Sequence, residues 1–145
     1  MNFVDTWAWV ALALRDDQHH EMAVAVYRSL LVKRERLVTS DYILDESITL
    51  LMGRDTSGRA TQFVDALLQR TAQDGLILES IDRQRFDQAW ALRKRYTDHP
   101  AISFTDFTSI VVMEFLGITR IFSGDNHFIQ VNRGFHLVNN PVATG

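Results

Sequence analysis

Short apolar segments alternate with longer helical patterns along this chain, and that alternation restricts the fold more than any other feature. Strand candidates occur at 2–5, 37–39, 76–81 and 120–123, with a last edge strand at 136–138. Helical patterns separate them at 6–14, 21–32, 41–52, 57–71, 82–96 and 104–116. Strands that alternate with helices predict a mainly parallel sheet with helices on both faces. The sequence therefore predicts the α/β class, as a doubly wound, three-layer α/β/α domain with four to five strands.

Local signals set the expected ends and faces of these helices. Ser40 is placed to cap the third helix, and Gly53 is expected to end it. In the fifth helix, the spacing of Phe86, Ala89 and Trp90 predicts that these three side chains face the core.

Composition restricts the function classes. A chain of 145 residues is long enough for one domain with its own core, so residues 1–145 are expected to form a single domain. The absence of Cys excludes disulfides, thiolate nucleophiles and Cys-ligated metals, and it fits a reducing cytoplasm. No apolar run is long enough to span a membrane, so no membrane partner is expected. The net charge of -3 argues against a globally basic nucleic-acid binder, but a local Arg patch could still hold a phosphate backbone.

Four acidic residues occur where a predicted strand or turn passes into a helix, or on the helix that follows. They are Asp5, Glu46, Asp106 and Asp125. Ligands of open parallel sheets bind outside the carboxyl ends of the strands, so these side chains are expected to meet at one edge. Two like charges at about 5 Å cost roughly 3 kcal/mol at an effective dielectric of about 20. A divalent cation would remove that repulsion, and oxygen ligands select Mg²⁺ or Mn²⁺. The pattern predicts a metal-dependent hydrolytic site.

Each acid also has an ordinary structural interpretation. Asp5 can cap the first helix, and Asp125 can be a turn residue. Residues from Ser103 to Asp106 fit a capping box, in which the Asp side chain accepts from the Ser103 backbone. Glu46 has mostly nonpolar neighbours at helical spacing, which indicates a partly enclosed cleft. The joint placement of the acids, rather than any one of them, favours the metal site.

Four segments resemble the signature blocks of PIN domains: 3–6 (FVDT), 40–46 (SDYILDE), 103–106 (SFTD) and 123–128 (SGDNHF). The similarity is greatest to the toxin ribonucleases of VapBC toxin–antitoxin systems, and it extends over essentially the whole chain in order and spacing. The resemblance implies a PIN-like fold and an Mg²⁺- or Mn²⁺-dependent endoribonuclease that hydrolyses RNA to 5′-phosphate and 3′-hydroxyl ends. Trp7 stands where PIN domains more often have a small or polar residue after the Thr. This difference leaves the metal ligands in place and concerns the shape of the nearby substrate channel.

The resemblance also implies roles for the acids. Together they would be the catalytic and metal-binding quartet. Asp5 and Asp106 are expected to bind the ion directly. Glu46 and Asp125 are expected to hold its waters or a second ion, with Glu46 orienting the attacking water.

The partners implied by the resemblance are an RNA substrate, a second copy in a homodimer and a small VapB-like antitoxin. The antitoxin would lay an amphipathic segment in a groove near the early helices, with Trp7, Trp9, Met22 and Tyr27 as contacts. A non-catalytic PIN-like module that binds RNA or protein is the alternative, and it differs by binding without cleavage.

The histidines and most basic residues have weaker patterns. No pair of histidines predicts a metal-free ribonuclease with one acid and one base, although His127 is close enough to the acidic turn to touch a phosphate. The fifth helix carries Arg83, Arg85, Arg93, Lys94 and Arg95. This face is either an ordinary solvated surface or a sequence-independent phosphate rail, and both interpretations stay open.

Overall fold

Strands and helices alternate throughout the part of the chain that the computed structural model describes, residues 1–55 and 57–141. The strands are β1 (Asn2–Val4), β2 (Leu37–Ser40), β3 (Ile77–Glu79), β4 (Arg120–Phe122) and β5 (His136–Leu137). The helices are α1 (Thr6–Ala13), α2 (His20–Val32), α3 (Asp41–Arg54), α4 (Arg59–Ala72), α5 (Arg83–Arg95), α6 (Phe104–Leu116) and α7 (His127–Gln130). The short helix α7 was not predicted from the sequence.

The strands form one five-stranded parallel sheet in the order β3-β2-β1-β4-β5. Strand β1 is central, and Phe3 lies opposite Val38 on one side and Ile121 on the other. Both β1 and β2 are buried along their whole length, as parallel strands covered on both faces must be. The chain adds β2 and β3 on one side of β1, then β4 and β5 on the other. The strand order therefore reverses between β1 and β4, where open α/β sheets place their ligands.

Right-handed crossovers assign the helices to two layers. The path from β1 to β3 places α1 to α4 over one face, and the return path to β4 and β5 places α5 to α7 over the other. The predicted three-layer α/β fold is confirmed. Within the described residues, no helix is both long enough and apolar enough to cross a lipid bilayer.

Helix α6 is part of the core on most of its faces. Phe107, Ile110, Val112 and Met113 are all fully buried, and they pack in one cluster with residues of the central strands. Burying an apolar side chain of this size contributes roughly 1.5–3 kcal/mol. This packing fixes the helix whose first turn carries Asp106.

Helix α3 continues past Gly53, so the prediction that this glycine ends the helix is wrong. The helix runs to Arg54, and Asp55 is the residue that follows it. The Asp55 carboxylate accepts the backbone N–H of Ala60 at 2.7 Å and so starts α4, which makes Asp55 the local signal for the boundary. The helix thus includes Arg54, which lies eight residues after Glu46 on the same helix face.

Helix α5 buries Ala89 and Leu92. The prediction that Phe86 and Trp90 also face the core is wrong. Phe86 is 40% exposed and Trp90 is 54% exposed. Phe86 rests against Phe104 of α6, with 4.9 Å between ring centroids. The small Ala89 side chain is fully buried on the helix that packs extensively against α6, a position where a Trp would hold the two helices apart.

Candidate functional site

Adjacent strands bring Asp5 and Asp125 to one edge of the sheet. Asp5 follows β1, and its backbone N–H donates to the carbonyl of Phe122 in β4 at 3.2 Å. Ser123 connects the two acids, because its hydroxyl donates to Asp5 Oδ2 at 2.8 Å and accepts the backbone N–H of Asp125 at 3.0 Å. The first and last acids of the predicted set therefore share one hydrogen-bonded bridge.

Asp106 belongs to the capping box predicted at the start of α6. Its backbone N–H donates to Ser103 Oγ at 3.1 Å, and its Oδ2 accepts the backbone N–H of Ser103 at 3.2 Å. Within the described residues, the hydrogen bonds of this carboxylate all use Oδ2. Capping therefore leaves Oδ1 for a ligand.

One cavity of about 200 Å³ has all four predicted acids in its wall. Glu46 reaches it from α3, which contacts α6 across the edge of the sheet. Asp17, a fifth acid that the sequence analysis did not single out, also lines this acidic cavity. Its carboxylate accepts the backbone N–H of His19 at 2.8 Å, next to the start of α2.

The two most buried acids, Asp5 and Asp106, both have a raised pKa. Burial, followed by the negative charge of Asp106, raises the pKa of Asp5 to about 7. The negative charge of Glu46 adds a smaller increase, and the hydrogen bond from Ser123 opposes it. Burial also raises the pKa of Asp106, against the lowering effect of a hydrogen bond from His127. Without a cation, Asp5 therefore holds a proton over a wider pH range than an exposed carboxyl group does.

His127 joins two of the acids, a role that the sequence analysis missed. Its Nδ1 lies 3.0 Å from Asp106 Oδ2 and 3.2 Å from Asp125 Oδ2, and its backbone N–H donates to Asp125 Oδ1 at 2.9 Å. These three residues each offer one possible ligand atom for a metal ion, and the three atoms lie within 4.8 Å of one another. The position of His127 two residues after Asp125 was the only sequence signal that pointed to it.

The family model of the PIN domain matches residues 3–134, a range that contains all four acids. This chain belongs to the PIN domain family. The crystal structure of VapC20 from Mycobacterium tuberculosis, described as a toxin that cleaves the sarcin-ricin loop, is similar to this PIN domain with a TM-score of 0.78. The two sequences are 28% identical, and the match covers 94% of this chain and 97% of the VapC20 chain. No curated protein sequence matches this PIN domain at a significant level.

The donor atoms of this PIN domain fit a hard divalent cation. Besides the carboxylates, the cavity wall contains Thr6, whose Oγ1 is buried and has no hydrogen-bond partner among the described residues. A buried hydroxyl without a partner costs roughly 1–3 kcal/mol. Carboxylate and hydroxyl oxygens are the donors that hard cations prefer, so this set could hold a divalent metal ion.

Trp7 also lines the acidic cavity of this PIN domain. Its indole packs so closely on Gly124 that a Cβ atom there would overlap Cε2 and Cζ2 of the ring. The ring of His19 lies 5.1 Å away between centroids. Trp7 is half-buried, packs against the hydrophobic core and also lines the acidic cavity, as expected of a residue that shapes a substrate channel. Its size requires glycine at position 124.

Proposed function

We propose that this PIN domain is a metal-dependent endoribonuclease that hydrolyses RNA phosphodiester bonds. The observation that carries the proposal is the convergence of Asp5, Glu46, Asp106 and Asp125 on one cavity, beside the unpartnered hydroxyl of Thr6. Carboxylates held together repel each other, and their placement is explained if a cation binds between them. The similarity to VapC20, which is described as cleaving the sarcin-ricin loop, supports RNA as the substrate.

Mg²⁺ or Mn²⁺ is the proposed ion, because the donors are oxygens and the chain has no Cys. Asp5 and Asp106 would hold it, with Glu46 and Asp125 supplying further negative charge around it. When bound, the ion would neutralise the carboxylates and polarise the scissile phosphoryl group.

The residues of the chain then have separate tasks. Glu46 orients the attacking water and accepts its proton, while the water oxygen bonds to phosphorus and the bond from phosphorus to the 3′ oxygen breaks. The leaving oxygen takes a proton from solvent, which gives 5′-phosphate and 3′-hydroxyl ends. His127 is a positioning residue, since its Nδ1 is within hydrogen-bond distance of both Asp106 and Asp125. The ribose 2′-hydroxyl takes no part in the reaction.

RNA cleavage by the purified protein should therefore require a divalent ion. We expect cleavage of a labelled RNA with Mg²⁺ or Mn²⁺, loss of cleavage on adding EDTA, and recovery when the ion is returned in excess. The new ends should carry 5′-phosphates, which a 5′-phosphate-dependent exonuclease detects. RNA binding without cleavage at any ion concentration would favour the non-catalytic module instead, and cleavage that survives EDTA would refute the metal site.

We also propose that the PIN domain is the toxin of a toxin–antitoxin pair and acts in the cytoplasm as a homodimer. An apolar groove of about 260 Å³ supports the antitoxin, because it suits the nonpolar face of an amphipathic segment. The groove is lined by Trp9, Leu12, Tyr27, Phe63, Ala66, Leu67 and Arg70. Trp9 and Tyr27 were among the expected contacts, whereas Trp7 lines the acidic cavity. Exposed aromatic residues on α5 and α6, Trp90 and Phe115, support an interface between copies.

Purification from a host that carries the neighbouring genes should recover the chain with a short DNA-binding protein, and two copies of the chain per complex. The mass of the intact complex, measured by native mass spectrometry, checks both expectations. A chain that is monomeric and harmless to its host when expressed without any partner would contradict them.

A further inference from the structure

The acidic cavity has one cation in its wall, within the described residues, and that cation is Arg54. It lies on α3 with Glu46 and Leu50, at intervals of four residues, so all three side chains share one helix face. Eight residues of helix separate Glu46 from Arg54, which corresponds to about 12 Å along the axis. The same rigid helix thus presents a carboxylate at one end of the cavity and a guanidinium at the other.

The guanidinium of Arg54 is available for a ligand. Arg54 is exposed, and no ion pair or hydrogen bond of its side chain is found among the described residues. A cation in the last turn of a helix gains a small favourable interaction with the helix dipole, and that is the ordinary structural explanation. It does not explain why this cation lies on the face that carries Glu46, two turns away.

A second cavity, of about 280 Å³, is lined by the chain neighbours of two residues of the acidic one. Asp55, bonded directly to Arg54, lines this second cavity, and so does Asp16, the neighbour of Asp17. Its wall adds two more exposed cations, Arg15 and Arg59. The Asp55 carboxylate is committed to the backbone N–H groups of Ser57 and Ala60 at the start of α4, so it opposes an incoming anion less than a free carboxylate would.

The basic residues of α5, which the sequence left open as a solvated face or a phosphate rail, lie elsewhere. Arg83 pairs with Asp87 at 2.9 Å, and Arg85 pairs with Glu79 at 2.8 Å. Arg95 lines a different cavity, between α5 and α6. Within the described residues, the wall of the acidic cavity takes none of its members from α5.

We propose that Arg54 is a substrate-positioning residue that binds the RNA phosphate next to the one being cleaved, and that the strand leaves the acidic cavity past Arg15 and Arg59. This inference rests on the proposed ribonuclease function. A guanidinium can donate two hydrogen bonds to one phosphate, which fixes the strand relative to Glu46 and the other acids. The attraction also offsets the repulsion between the acids and the RNA backbone.

The test measures equilibrium binding of a fluorescein-labelled single-stranded RNA of mixed sequence, by fluorescence anisotropy at increasing KCl. All proteins carry Asp106→Asn so that the RNA stays intact, and Mg²⁺ is present throughout. Adding Arg54→Gln should weaken binding roughly 3- to 10-fold and reduce the slope of log affinity against log salt by about 0.7, the value for one lost phosphate contact on a single strand. Arg54→Lys should restore the slope, because it keeps the charge.

Arg95→Gln is the matched control, since it removes an exposed arginine from α5 and should change neither affinity nor slope. Thermal melting checks that each variant is folded, and Arg54→Gln should melt close to its parent because the residue is exposed. An unchanged slope in Arg54→Gln, an equal loss in Arg95→Gln, or no RNA binding by the parent would overturn the inference. Cleavage by the protein without substitutions tests the ribonuclease proposal separately. An unchanged salt slope with normal cleavage would contradict only the role of Arg54, and a reduced slope without cleavage would contradict only the ribonuclease proposal.

Discussion

Replacing Asp106 with asparagine should lower the rate of RNA cleavage by roughly 10²–10³-fold while the protein stays folded. The substitution removes one negative charge from the centre of the acidic cavity. It keeps a side-chain oxygen that can accept the backbone N–H of Ser103, so the start of α6 should remain capped. Cleavage under single-turnover conditions at saturating Mn²⁺ measures the effect on the chemical step.

Asp65→Asn is the control for this prediction, because Asp65 is an exposed acid on α4 outside the acidic cavity. It should cleave at the rate of the unsubstituted protein. The far-ultraviolet circular dichroism of both variants should match that protein. If a folded Asp106→Asn variant cleaves at the original rate, Asp106 is not part of the catalytic site, and α6 supplies no direct ligand for the ion.

Replacing Asp5 with asparagine should raise the free energy of unfolding of the ion-free protein, although it damages the proposed site. The pKa of Asp5 is about 7 in the folded protein and 3.8 in the unfolded reference. Between these values the folded state binds more protons than the unfolded state, so stability falls as the pH rises. Above pH 7 the cost of the buried charge approaches about 4 kcal/mol, and asparagine should recover up to that amount. Below pH 3.8 the gain should vanish, since Asp5 is then protonated in both states.

Urea unfolding in EDTA, followed from pH 3 to pH 8, measures this pH dependence. Adding Mn²⁺ near neutral pH should stabilise the original protein more than the variant, because an ion that binds only the folded state adds to its stability. The stabilising effect of the ion should grow as the pH rises towards 7, since a proton and a metal ion compete for the same carboxylate. A variant that is less stable than the original protein at every pH would contradict a net cost of the buried Asp5 charge.

Much of the fold could be predicted from local sequence. The first three predicted strands are each followed by a helical pattern that the structure contains, and Asp5 and Asp125 lie one and three residues after the ends of β1 and β4. The order of the strands could not be predicted in this way, because it depends on which apolar surfaces meet in the folded chain. The orientation of α5 was predicted incorrectly for the same reason. Hydrophobicity favoured Phe86 and Trp90 as the inward residues, but close packing against α6 selected Ala89.

The residues that line the acidic cavity differ in how well they could be predicted from the sequence. Asp5, Asp106 and Asp125 each stand beside a strand end or a helix start, so a rule about sheet edges could find them. Glu46 is the sixth residue of α3, the helix that follows β2. Asp17 lies in a connection without such a rule, and it reaches the cavity only because of the path between α1 and α2. Arg54 was missed because Gly53 was taken as the end of α3. A helix continued by two more residues would have placed it on the Glu46 face.

The contact between Trp7 and Gly124 couples two positions that are far apart in the chain. A side chain at position 124 becomes possible only if position 7 carries something smaller than an indole. Tolerated sequence variation at these two sites should therefore be correlated, with a bulky residue at one accompanied by glycine at the other. Both codons can be randomised in a library that is then selected for folded protein. Pairs of a large residue at one position with a small residue at the other should be recovered more often than the frequencies at each single position predict.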